Sequence, residues 1–405
     1  MTDVAPAPSR LKPDTDDPVL IIGAGVAGLA AAARLAKLGV RAEILECGDG
    51  VAYVWRLRYD RMRMNTCRWN IRLWFGRFPQ GTPAFPTRDQ FVRYMESYLA
   101  KHDLTVRYGV NVDRIDRVAD GWQLATSAGD LTARQVIVAT GHDRTPRLPN
   151  WPGRDLFPGR LIHSVQYRNP REFRGADVLV VGSGCSGTDI AADLAHGGAG
   201  RVWLAVRSQP HIMMRKSVCG PNDLVAAALQ RLPLPVADSM DRLIRRMTVG
   251  NLASFGLRVP DEGTFTTFRR DDAQPTVVDP DFIKGVKTGR IKVVTGVSSL
   301  DADGVELTDG TRLRPDAIVA ATGFSNGLAP LVGHLGVLDE EGQPLSKPGT
   351  GLYFLGYGKG VGVIGPNARR ATEQVCRDLA SERPGSVAVA AGLPRRPVPA
   401  SVSTR

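Results

Sequence analysis

The feature that most constrains this chain is a short apolar strand running into a G-x-G-x-x-G turn and then a helix, and it occurs twice. The first copy is Val19-Leu20-Ile21-Ile22 followed by Gly23-Ala24-Gly25-Val26-Ala27-Gly28 and an alanine-rich helical stretch from Leu29 to Leu38. In such a turn the first glycine permits the tight bend, the second lets the backbone approach a pyrophosphate, and the third lets helix and strand pack closely. The phosphate then meets the unpaired N–H groups that open the helix. The next strand, Arg41 to Leu45, ends in Glu46, an acid placed where ribose hydroxyls are hydrogen-bonded. The second copy is Val178 to Val181, then Gly182-Ser183-Gly184-Cys185-Ser186-Gly187, then a helix through Thr188 to His196. Its following strand, Val202 to Val206, ends in Arg207 and Ser208 instead of an acid. A guanidinium and a hydroxyl can hold a 2′-phosphate that a carboxylate would repel, so this site is expected to prefer NADPH to NADH. The two turns together imply FAD on the first and NADPH on the second.

Each turn is later followed by a strand ending in Ala-Thr-Gly, at Ala139-Thr140-Gly141 and at Ala321-Thr322-Gly323. These repeated ends mark the crossings between two units, and Thr140, Gly141, Thr322 and Gly323 are candidate cofactor contacts. The predicted architecture is α/β, with two Rossmann-like dinucleotide-binding domains and the NADPH domain inserted into a discontinuous FAD domain. The predicted boundaries are 19–150 for the first part of the FAD domain, 151–311 for the NADPH domain and 312–381 for the second part. A helical insertion is expected at about 216–279, with apolar stretches Asp223 to Leu232 and Met240 to Met247. It could cover the mouth of the site or meet a membrane, and plain packing is the expectation. Residues 1–18 and 382–405, rich in Pro and small residues, read as disordered tails.

Length and composition agree with this picture. A chain of 405 residues with 43% hydrophobic and 23% charged residues and 44 glycines is that of a two-domain globular enzyme. The formal charge of +11 comes without any nucleic-acid motif, and a positive field that attracts phosphate-bearing cofactors accounts for it. No stretch is apolar for long enough to cross a bilayer and no signal peptide is evident, so a cytoplasmic protein without peripheral membrane contact is expected. A homodimer is the expected assembly, although no motif fixes it. The five cysteines, Cys47, Cys67, Cys185, Cys219 and Cys376, include no C-x-x-C pair. That argues against both a zinc site and a pyridine nucleotide–disulfide reductase, which needs a redox pair beside its flavin.

The segment Phe157-Pro158-Gly159-Arg160-Leu161-Ile162-His163-Ser164-Val165-Gln166-Tyr167 resembles the F-x-G-x-x-x-H-x-x-x-Y/F signature of flavin-containing monooxygenases. Baeyer–Villiger relatives usually carry Trp where Tyr167 stands. The stretches Val51 to Trp55, Tyr59 to Thr66, Phe85 to Phe91 and Ala321 to Phe324 look like the YUCCA branch of that family. The resemblance implies a monooxygenase in which NADPH reduces FAD, O₂ adds at flavin C4a, and the resulting hydroperoxide oxygenates a small organic substrate. Amine, sulfide and 2-oxo acid substrates all fit, and the YUCCA-like segments favour oxidative decarboxylation of an arylpyruvate such as indole-3-pyruvate. A flavoprotein that oxidises NADPH in a redox-sensing or partner-binding role is the alternative.

The same resemblance suggests roles for single residues. Asn65 stands where flavin-containing monooxygenases carry a catalytic-site asparagine, whereas the YUCCA branch usually has His there; the alternative for Asn65 is to fix a turn before Thr66-Cys67. Trp55 either packs against the flavin or fills the core. His163 is tied by resemblance to holding NADPH and linking the domains, and is not assigned as an acid or base. The helix opening at Gly365-Pro366 could aim its positive end at reduced flavin.

Overall fold

The structure, a computed structural model, describes residues 18–381 apart from 72, 74, 75, 218, 219, 272, 273, 346–349 and 358–363. Both expected tails therefore lie outside the described residues, save Pro18. The two glycine turns each open a unit built on a parallel five-stranded sheet. In the first sheet the order is Leu352–Phe354, Val136–Val138, Val19–Ile22, Ala42–Glu46, Val106–Tyr108. In the second it is Ile291–Val294, Val202–Ala205, Val178–Val181, Ala317–Ala320, Arg160–His163. The strands beside the turns are buried along their whole length, as apolar runs must be when a parallel sheet is covered on both faces.

The duplication goes deeper than the glycines. In each unit the turn-bearing strand is central, the strand ending in Glu46 or leading to Arg207 lies on one side, and the strand ending in Ala-Thr-Gly lies on the other. Each unit also carries a three-stranded antiparallel meander before its Ala-Thr-Gly strand. These are Val112–Val118, Gly121–Thr126 and Leu131–Ala133 in one, and Val297–Asp301, Gly304–Leu307 and Arg312–Leu313 in the other. The outermost strand differs in origin. The first unit takes it from the far end of the chain, at Leu352, and the second from just before its own turn, at Arg160.

This topology corrects one expected boundary. The second meander and Ala317–Ala320 belong to the second sheet, so the chain returns to the first unit beyond Gly323, not near Arg312. The two connecting segments meet: Thr145–Pro146 pairs antiparallel with Phe324–Ser325.

In the first unit, Val26–Lys37 packs its alanine-rich face with Ile364–Ser381 on one side of the sheet. Arg88–Lys101 joins that layer through Phe91, Tyr94, Met95 and Tyr98, which share one helical face. Its start is fixed by a capping box in which the Thr87 side chain accepts from the Gln90 N–H while Gln90 returns a bond to the Thr87 N–H.

The insertion carries helices at Asn222–Leu229 and Leu234–Thr248, which overlap the two expected stretches, and a further one at Thr264–Asp271. It is closed at its base by parallel pairing of Ile212–Met214 with Thr276–Val278. Plain packing fails for one helix. Leu234–Thr248 turns Ala237, Asp238, Asp241 and Arg245 inward and leaves Val236, Met240, Leu243 and Met247 exposed. Among the described residues no helix is long and apolar enough to cross a membrane.

Candidate functional site

The glycines of the two turns have matching surroundings. Gly23 and Gly182 adopt φ of +106° and +113°, and a Cβ on either would press on the carbonyl oxygen of Ala139 or Ala321 at 2.7 or 2.5 Å. Gly28 and Gly187 touch the carbonyl oxygens of Gly23 and Gly182 so closely that a Cβ would lie 1.9 or 1.8 Å away. Gly25 and Gly184 are the opposite case, since a Cβ there would meet nothing within 4 Å. Each helix therefore has open space at its head, the arrangement an anion needs to approach helix N–H groups.

The first turn borders a cavity of about 420 Å³ lined mainly by apolar side chains. Gly25, Glu46, Trp55, Thr140 and Gly141 all line it, so the structure brings together the first-unit residues expected to bind a nucleotide. Glu46 is buried at 5% exposure, its two carboxylate oxygens accepting from the Ala24 and Gly48 N–H groups at 2.7 and 2.9 Å. Trp55 lines the cavity and also packs into the core, meeting Phe91 edge-on at 4.9 Å. The Thr140 hydroxyl is 2.7 Å from that of Tyr357, whose own pKa burial pushes up to about 12.

The second turn is more open. Arg207 and Ser208 are exposed beside it, and the Ser183 hydroxyl donates to the Ser208 carbonyl at 3.5 Å. Cys185 points away, accepting a bond from the Val277 N–H. Thr276 donates to the Ser183 carbonyl at 2.9 Å, which ties the base of the insertion to the turn.

His163 and Asn65 lie at the junction of the units. Burial holds the His163 imidazole below its usual pKa, so it is neutral near pH 7. Its Nδ1 accepts from the Val165 N–H at 3.2 Å, which leaves Nε2–H to donate to the Gly323 carbonyl at 3.0 Å. Nε2 thus holds the crossing segment at Gly323, while Nδ1 is occupied by the turn that follows His163 itself. Asn65 does not line the cavity. Its carbonyl accepts from Arg215 at 3.0 Å, and Arg215, itself buried, pairs with Asp279 and lies 3.7 Å from Asp189. Burial raises Asp189 to about 6, with Arg215 pulling it down and the Tyr59 hydroxyl donating to it at 2.9 Å. Tyr59 and Asn65 come from the first unit, and Asp189, Arg215 and Asp279 from the second. Gly365 lies in the first turn of Ile364–Ser381.

Comparison with known proteins decides the class. The pyridine nucleotide-disulphide oxidoreductase family matches residues 20–218. The rice (Oryza sativa subsp. japonica) indole-3-pyruvate monooxygenase YUCCA1 is 36% identical over 350 residues, covering 84% of this chain and 86% of that protein. The chain belongs to the YUCCA family of monooxygenases. Two solved structures share the fold. The flavin-containing monooxygenase of Stenotrophomonas maltophilia has a TM-score of 0.67 at 21% identity, covering 90% of this chain and 98% of the other. An oxidised steroid monooxygenase bound to NADP has a TM-score of 0.69 at 19% identity, covering 90% and 85%. As a YUCCA-family member the protein is a flavin-dependent monooxygenase that uses FAD and NADPH.

The disulfide chemistry in the broader family's description finds no support among the described cysteines. Cys47, Cys67, Cys185 and Cys376 are free, and burial raises the pKa of each, Cys47 and Cys67 to about 11, so they stay as weakly nucleophilic thiols.

Several residues of the YUCCA-type site escaped the sequence reading. Arg58, buried at 7%, lines the cavity, pairs with Asp143 and sits 4.6 Å over the Phe324 ring. Arg144 and Val165 line the cavity too. Arg58 lies between the two YUCCA-like stretches Val51 to Trp55 and Tyr59 to Thr66, next to Tyr59, which is the signal that points to it. Arg215 carries none, because its partners are scattered from Asn65 to Asp279 along the chain.

Proposed function

We propose that the protein oxidatively decarboxylates an arylpyruvate to the corresponding acetic acid, with indole-3-pyruvate, the substrate in the rice relative's name, as the first candidate. In this reading FAD lies along the first turn with its adenosine ribose toward Glu46, and NADPH lies along the second with its 2′-phosphate on Arg207 and Ser208. The single observation that carries it is the continuity of the cavity. Its wall runs from Gly25 and Glu46, past Thr140 and Gly141, to Val165 and Phe324 at the junction with the second unit. A dinucleotide held along this wall would extend from the first turn toward the junction with the second unit.

Bound flavin reduced by NADPH supplies oxygen activation, so that one oxygen atom enters the substrate at its keto carbon as CO₂ leaves, and the other ends as water. The chain's own residues supply binding, orientation and dryness. Backbone N–H groups at the heads of Val26–Lys37 and Cys185–Gly197 neutralise pyrophosphate charge. The largely apolar lining limits water. Neutral His163, with both nitrogens bonded, keeps the crossing strand at Gly323 in register and moves no proton. Asn65, clamped by Arg215, is positioned by the second unit, which fits a role that depends on the two units being docked. Gly365, at the head of the last helix, is assigned to the flavin side of the site. A cytoplasmic place of action belongs to the same reading and is supported by the free state of the described cysteines.

The test is oxygen uptake by FAD-loaded protein with NADPH, in the presence of indole-3-pyruvate, phenylpyruvate, an amine or a sulfide. The expected result is uptake stimulated by the arylpyruvates, with acetic acid and CO₂ formed in step with NADPH loss. Uptake that ignores arylpyruvates, with all the oxygen recovered as hydrogen peroxide, overturns the reading. Stimulation by the amine or sulfide alone moves it to N- or S-oxygenation.

A further inference from the structure

The helix Leu234–Thr248 is amphipathic the wrong way round. Its inward face carries Asp238, Asp241 and Arg245, all buried. Asp238 accepts from the Phe265 N–H at 2.7 Å and from the Thr266 hydroxyl at 2.5 Å, and Asp241 accepts from the Thr264 hydroxyl at 2.7 Å. The acids are therefore spent on holding the start of Thr264–Asp271. The outward face carries Val236, Met240, Leu243 and Met247, at spacings that put all four on one stripe, and Leu232 precedes them by one turn. Leu243 and Met247 are 57% and 61% exposed, more than any apolar side chain in the two sheets.

The exposed charge carried by the helix and the turn before it is of one sign, although Arg242 also reaches the carbonyl of exposed Asp261. The exposed charged residues between 230 and 247 are Arg231, Arg242 and Arg246, with no acid among them. A folded helix that hides its acids and shows methionine, leucine and arginine has its apolar stripe and its cationic rim facing the same solvent. We propose that this face docks on an anionic lipid surface, with the stripe lying in the headgroup layer and the arginines on lipid phosphates. A second copy of the chain fits less well, because pairing two such faces brings like-charged arginines together without an acid to offset them. Docking there also bears on the site, since Asp223 of the preceding helix accepts from the Cys67 N–H and the Asn70 side chain, just past Asn65.

Vesicle co-sedimentation of the FAD-loaded full chain tests this, using phosphatidylcholine alone and phosphatidylcholine mixed with phosphatidylglycerol. Binding is expected to the mixed vesicles, to weaken as salt is raised, and to fall roughly ten-fold or more in Leu243→Glu/Met247→Glu and in Arg242→Glu/Arg246→Glu. Both variants change only exposed positions, so their flavin content and their NADPH oxidation without vesicles should match the parent. The docking proposal therefore stands or falls separately from the proposed reaction. Failure to bind mixed vesicles overturns it, as does binding that either variant leaves unchanged. Self-association that Leu243→Glu/Met247→Glu abolishes, seen by sedimentation velocity without lipid, also overturns it in favour of a second copy.

Discussion

The two nucleotide turns share a backbone and differ in everything built around it. After the first, the chain folds back over its own turn: Ala52 N–H bonds the Ala24 carbonyl, and the Tyr53–Arg56 helix brings Trp55 to the cavity wall. Glu46 is consequently buried and held by two backbone N–H groups before any ligand arrives. After the second, Arg207 and Ser208 stay exposed at the rim while the chain leaves to form the insertion. One scaffold thus yields an enclosed, preorganised pocket suited to a carrier that stays, and an open cradle suited to one that comes and goes. With the glycines of the two turns in matching surroundings, the difference between the pockets comes from the loop after the second strand.

The largest effects should separate the units outright. Gly28→Val and Gly187→Val each force a side chain into a backbone carbonyl, a local cost of about 3 kcal/mol or more. Gly28→Val is expected to purify colourless and stay so when offered FAD. Gly187→Val should remain yellow and be bleached by dithionite but not by NADPH. Equal loss of flavin from both would show that the units are not functionally distinct.

A smaller pair of changes sharpens the contrast between acid and guanidinium. Glu46→Leu leaves two buried N–H groups unpaired and should weaken FAD binding by about ten- to a hundred-fold, read by equilibrium titration. Arg207→Ala should raise the KM for NADPH by about ten-fold while that for NADH hardly moves. Equal shifts for both coenzymes would remove the 2′-phosphate role.

The smallest effect concerns the seam between the units. Asp189 has a folded pKa raised by burial to about 6, so its native state holds a proton that the unfolded chain releases at lower pH. Its contribution to stability is therefore greatest below the unfolded value and declines as pH rises to about 6. Asp189→Asn cannot ionise. The melting temperature of the variant minus that of the parent should grow between about pH 4 and pH 6, by roughly 2–3 °C, and then level off. A flat difference across that range would mean that Arg215 and the Tyr59 hydroxyl hold Asp189 ionised throughout.

Much of this was readable in advance, and the failures have physical causes. Strand, glycine turn, helix and acid are local in the chain, so the first site could be assembled from Gly23 to Glu46 without coordinates. The return to the first unit was misplaced because Ala317–Ala320 is buried on both faces, and a run without alternation does not say which of two sheets it joins. Periodicity points to only the second half of the Leu234–Thr248 helix, Met240 to Met247, and does not tell which side faces in; here hydrogen-bonded acids took the inner side. Arg215 and its partners depend on docking two units, and no spacing along the chain encodes that.

The pairing of Thr145–Pro146 with Phe324–Ser325 has a mechanical consequence. Both covalent links between the units pass through one short ribbon, which is placed like the spine of a book between its covers. Swivelling would have to tear the ribbon, whereas opening and shutting need only bend it. The fore-edge of that book is the Tyr59, Asn65, Asp189 and Arg215 seam, which makes the polar clasp there the natural place to set how wide the pages stand.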